Sequence, residues 1–313
     1  MIALLIVPLL LPWLLPPLAR RTAARVRPGV ALWTITLATA ALAVGVVACL
    51  GVLLLPLALA VPPVAALVHL VQPLRAGPAL LTLGVSALSG ALAAVTAVTV
   101  VRRAISEAKH LRTARQGVAR LPHSGELCVL DDARPDAYAL PGGLRSGGRV
   151  VVTTGMLRSL EPREREALLA HERAHLAARH HLFLAVAQLA GWCHPALAAV
   201  VPRVSFAAER AADESAARAT GDRTLTARAV GRAALAATRA GRRPGGSVRV
   251  AGAVTGPVPA RVKALLTRAP VRRVVPALLA MALLCAGAGA SSLAGAVWLH
   301  RGVEIAQGER PSD

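Results

Sequence analysis

The sequence predicts a mainly α membrane protein, with transmembrane helices and a polar α+β domain built around a small sheet. Three observations carry this reading. Apolar residues make up 55% of the chain and gather in long blocks, most of them at or above the roughly 20 residues a bilayer span needs. One polar stretch, 102–273, separates the last two blocks and holds β-branched runs as well as helical periodicity. The 36 basic residues outnumber the 16 acidic ones and cluster beside the apolar blocks, where the positive-inside rule wants them. That placement argues against direct nucleic-acid binding. Aromatic residues are only 2% of the chain, too few for base stacking, and no nucleic-acid motif is present.

The elements follow in chain order. Residues 2–19, apolar and then met by the basic run 20–27, read as an uncleaved anchor with its N-terminus outside. A secretory signal has the opposite charge order. The block 30–60 is a second span, its excess length taken up by tilt or by extension outward. Residues 61–78, rich in proline and holding one basic residue, Arg75, read as an external loop. Residues 79–101 form a third span, with Gly84, Ser86 and Gly90 giving a small-residue face for helix packing. These spans make 1–101 an N-terminal membrane region.

The basic run after Val101 puts the polar domain, 102–273, in the cytoplasm. A fourth span, 274–299, follows, and a short external tail, 300–313, is expected beyond it. The four cysteines are scattered, with no C-x-x-C, so buried reduced thiols are expected rather than a disulfide framework.

Within the domain, 126–132 and 148–155 are predicted strands, and 136–143 ("DAYALPGG") between them is a turn or a short edge. A helix opens near Glu161–Pro162, with proline and acidic residues suited to its first turn, and is expected to run through His180. It contains His171, Glu172 and His175, the pattern H-E-x-x-H. Positions i and i+4 share a helical face, so both imidazoles can reach one Zn2+ ion, and Glu172 is placed to act as a general base.

A catalytic zinc takes three protein ligands. The candidate for the third is Glu209, in a helical stretch where Asp213 stands one turn further on. Asp213 is then expected to accept the free N–H of a ligand histidine. Between the two motifs lies an apolar stretch, 182–201, long enough to cross a bilayer. If it crossed, Glu209 and His175 would sit roughly 30 Å apart. The shared ion therefore requires a hairpin, broken near Pro195, that is either buried in the domain or dips into the membrane surface. His180 and His181, off the i+4 spacing, are expected at a solvated helix end, and His194 at the helix break.

Together "ALLAHERAHLAARHH", "WCHP" and "AERAADESAA", preceded by "AYALPG" and followed by "VPARVKALL", resemble the integral-membrane zinc metallopeptidases. The beta-lactam sensor-transducers (BlaR/MecR type) are the nearest resemblance, in a short form without their sensor domain. The HtpX-type peptidases resemble the chain more distantly. The resemblance implies a gluzincin-like domain with His171, His175 and Glu209 as zinc ligands, Glu172 as catalytic base and Asp213 behind the ligands. It also implies that Val150, Val151 and Val152 lie along the cleft and pair with an extended substrate.

The function expected is zinc-dependent endoproteolysis at the cytoplasmic face of the plasma membrane. The implied partners are the lipid bilayer and a protein or peptide substrate, such as a winged-helix repressor. Quality control of membrane proteins and a non-catalytic signalling scaffold are the rival readings.

Overall fold

A computed structural model describes residues 2–59, 61, 79–143, 147–240, 257–267 and 275–306. The external loop expected at 61–78 and the last residues of the tail lie almost entirely outside them. The first apolar segment is helical but divided. Helix α1 (Ile2–Leu10) gives way to a 3₁₀ turn, Leu11–Leu14, and then to α2 (Leu15–Arg25). Pro12, Pro16 and Pro17 fall at the starts of the new turns, where a missing N–H is tolerated.

Helix α3 (Pro28–Leu59) is apolar all round, the pattern of a helix buried in a core or long enough to cross a membrane. Helix α4 (Ala79–Ala119) has 41 residues, roughly 60 Å at 1.5 Å per residue. That is about twice the thickness of a bilayer's hydrocarbon core, and its second half belongs to the polar domain. Ala114 and Val118 there pack against Cys128, Leu140 and Val151. The expected boundary at residue 101 thus falls inside one continuous helix. Among the described residues, three helical stretches are long and apolar enough to cross a membrane: Pro28–Leu59, Leu80–Ala119 and Leu278–Gly295. The last lies in the C-terminal helix, Val275–Ala306.

The domain begins with four short strands: β1 (His123–Ser124), β2 (Leu127–Leu130), β3 (Ala137–Leu140) and β4 (Arg149–Thr153). They form one sheet in the order β1-β2-β4-β3, with β2 parallel and β3 antiparallel to β4. Helices follow in order: α5 (Thr154–Ser159), α6 (Pro162–Ala177), α7 (His180–Cys193), α8 (Pro195–Ala198), α9 (Val201–Thr220), α10 (Arg223–Arg239) and α11 (Val258–Leu266). The C-terminal helix is α12.

The stretch 182–201 doubles back, as a shared ion requires. His194 is fully extended (φ −153°), ends α7, and accepts the Ala196 N–H at 3.2 Å to start α8. Gly191 lets the two arms close: a Cβ there would stand 2.9 Å from Ala198 Cα. The hairpin is not a separate body. Leu184, Ala187, Leu197, Val200 and Val204 share one buried cluster with Leu15, Ile35 and Leu42 of α2 and α3 and with Met281 of α12. Phe183 also meets Trp33 edge-to-face at 4.8 Å. Arg210 on α9 donates to the carbonyl oxygen of Ala23 at 2.6 Å, near the end of α2.

Candidate metal centre

Helix α6 carries His171, Glu172 and His175. Its start is fixed by a capping box: the Glu161 N–H donates to the Glu164 carboxylate at 3.1 Å, and the Glu161 side chain caps in return. Arg232 of α10 pairs with both carboxylates, at 2.6 and 2.9 Å. Helix α9 packs along α6 and brings Glu209 and Asp213 to the same side.

The three predicted ligands meet. Nε2 of His171 is 3.2 Å from Nε2 of His175. Glu209 Oε2 lies 3.5 Å from the first, and Glu209 Oε1 3.6 Å from the second. Donors at ~2.1 Å from one tetrahedral ion stand roughly 3.4 Å apart. The set of two neutral nitrogens and one carboxylate therefore fits zinc in both chemistry and spacing. It is also the one group of three or more such side chains among the described residues that converges closely enough to hold an ion.

Glu172 is buried beside the ligands and lines the same cleft. Burial, helped by Glu209, pushes its carboxyl up to about 7, the range that suits a general base at neutral pH.

Each ligand histidine has a different partner behind it. Nδ1 of His171 lies 3.0 Å from Asp213 Oδ1, though the pair is not aligned as a hydrogen bond. Burial opposes a charge on His171, but Asp213 and Glu209 outweigh it and raise its pKa to about 10. A bound metal has to displace that proton. Nδ1 of His175 instead lies 3.0 Å from Nδ1 of His180. Burial holds His175 down to about 3 and His180 to about 4.

The carboxylates are held by Arg261 of α11, itself buried. Its Nε and Nη2 fork onto Asp213 at 2.8 and 2.6 Å, and its Nη1 reaches Glu209 Oε2 at 2.7 Å. Arg261 offsets the burial cost of both and holds both carboxyls below the ordinary range. Arg261 lies in "VPARVKALL", a segment the family resemblance includes without giving this arginine a role. A lone arginine in a chain this basic gives no signal of its own.

Two expectations need correction. The strand holding Val150, Val151 and Val152 is not an edge. It pairs with β2 on one side and β3 on the other, and these valines are at most 2% exposed. Their N–H and C=O groups are used within the sheet, so they cannot take up a substrate strand. The edge at the cleft is β3, where Ala137, Tyr138 and Ala139 line the cavity with the three candidate ligands.

His180 is not at a solvated end either. Helix α6 stops at Ala177, and Arg179 turns the chain with φ 51°, the one positive φ outside glycine among the described residues. That turn folds His180 back into the protein, where it is 3% exposed. His181 is partly exposed and lines the cleft.

A model of peptidase family M48 matches residues 106–269, just over half of the chain. The chain belongs to that family. The matched stretch holds all of the centre described above, and membership makes the domain a metallopeptidase. No curated protein and no solved structure matches the chain.

Proposed function

We propose that the protein is a membrane-embedded zinc endopeptidase that cleaves a protein substrate at the cytoplasmic face. The observation that carries this is the meeting of His171, His175 and Glu209 at zinc spacing with Glu172 buried beside them. His171, His175 and Glu209 would hold the ion. Bound zinc supplies Lewis acidity, which polarises a carbonyl and makes water a better nucleophile. Glu172 takes the proton from the attacking water and delivers it to the leaving amine. Asp213 and Arg261 fix His171 and Glu209. The free edge of β3 receives the substrate backbone as an added strand.

Glu172→Gln keeps the ligands and removes the base. It is expected to retain zinc while cleavage falls by about 10²–10⁴-fold. Undiminished cleavage by that variant would sink the mechanism.

The arginine clusters support a multi-pass protein in the plasma membrane with the domain inside. The hairpin supports a site at the bilayer surface. Its α7 is too short to span, is packed on α3, and leaves Leu182, Val186 and Leu189 exposed along one face.

Two substrate classes remain in play. Regulatory cleavage of a repressor-type protein follows the sensor-transducer resemblance, which rests on the sequence motifs. Quality control of membrane proteins, the HtpX-type reading, gains support from a site built into the helix bundle. Comparing the proteomes of cells carrying wild type and Glu172→Gln separates them: one soluble regulator accumulates in the first case, many membrane proteins in the second. Stoichiometric zinc in the purified protein separates either from a non-catalytic scaffold.

A further inference from the structure

We infer that His180 is a positioning residue of the metal centre: its Nδ1 accepts the Nδ1 proton of His175 and so aims the Nε2 of His175 at the ion. The inference rests on the zinc reading above and names a residue that reading does not need.

Proton counting sets the two tautomers. His175 meets His171 and Glu209 through Nε2. To ligate a metal that nitrogen must be bare, so the single proton of the neutral ring sits on Nδ1. Nδ1 is 3.0 Å from Nδ1 of His180. Two bare nitrogens at that distance repel, and two protonated ones collide. One proton fits, and it belongs to His175. His180 is therefore the tautomer bare at Nδ1 and protonated at Nε2. Ligand histidines commonly donate their second N–H to a carboxylate, a backbone carbonyl or water. Here an imidazole takes that place.

The backbone supports the assignment. In an unbroken helix, residues five apart point about 140° away from each other. The helix is broken instead, at Arg179, whose positive φ of 51° is a conformation that residues other than glycine rarely adopt. The break turns His180 back onto His175 and buries it. The two rings pack edge-to-face, with centroids 4.8 Å apart.

The test uses the full chain in detergent, zinc-free protein titrated with zinc against a competing chelator, and two substitutions. His180→Phe fills the space without an acceptor; His180→Asn offers a carbonyl oxygen near the position of Nδ1. His180→Phe is expected to weaken zinc binding by about 10–100-fold and to lower kcat with little change in KM, while His180→Asn recovers most of both. Zinc binding by His180→Phe equal to wild type, or equal loss in both variants, overturns the inference. Wild type that binds no zinc overturns the zinc reading itself and is seen before any variant is made.

A measurement on wild type covers a variant that fails to fold. Nitrogen-15 NMR of the zinc-loaded, histidine-labelled protein is expected to show His175 protonated at Nδ1 and His180 bare at Nδ1. A proton on Nδ1 of His180 overturns the inference.

Discussion

The two sides of the metal centre do the same job by different means. Behind His171 stands an ionic assembly: Asp213 at 3.0 Å, gripped by the fork of Arg261, which also holds Glu209. Behind His175 stands a second imidazole, kept neutral by burial, on a strained turn. Two ligands four residues apart on one helix thus rest on unlike supports. The first is strong only while its charges match. The second is indifferent to the balance of charge but sensitive to protons.

The sharpest way to break the comparison is to remove Arg261. Arg261→Met leaves Glu209 and Asp213 buried without their counter-charge. It is expected to destabilise the zinc-free protein by about 3–5 kcal/mol, read by denaturant unfolding in detergent. A change below about 1 kcal/mol would mean that the ionic side is not a structural support. Adding Asp213→Asn is expected to restore part of the loss, because one orphaned charge goes with it.

Next in size is an opposed pH response, again in zinc-free protein. The folded pKa of His171 is raised to about 10. Its contribution is therefore full below about 6.5, its unfolded value, and is lost as pH rises through about 10. His175 and His180 are lowered, to about 3 and about 4. Their contribution is full above about 6.5 and is lost as pH falls towards those values. Stability is expected to fall on both sides of near-neutral pH. Asp213→Asn should flatten the alkaline limb and His180→Phe the acid limb. If either substitution changes both limbs alike, the two sides are not independent.

The smallest effect sharpens the neutral side. Arg179→Gly relieves about 1–2 kcal/mol of left-handed strain against glycine's entropy cost of roughly 0.5–1 kcal/mol, so it is expected to stabilise the fold by about 0.5–1 kcal/mol, measured as a shift in the denaturant midpoint. Destabilisation would show that the arginine side chain, not the turn, sets the conformation.

Much of the centre was legible in the sequence because it obeys helical spacing. His171, Glu172 and His175 share one helix, Glu209 and Asp213 another, and the need for a common ion forced the intervening apolar stretch to double back. What was missed does not follow spacing. The break before His180 carries no glycine or proline, so an i+5 position was read as facing away. Arg261 comes from a distant segment, one basic residue among 36. The sheet order was not readable, yet three consecutive valines are a mark of a strand covered on both faces. That signal argued against placing Val150–Val152 at an edge. Likewise, the prolines near the N-terminus gave notice that the first segment is not one helix.

Glu209 and Arg210 are neighbours on α9 and face roughly 100° apart, one residue's rotation about the helix axis. The first is a corner of the candidate metal site; the second clasps the end of α2 through the carbonyl of Ala23. Between them runs a single rigid backbone step. The end of α2 and the candidate ligand are therefore geared together: α2 cannot slide or tilt without either letting go of Arg210 or turning the carboxylate of Glu209 with it.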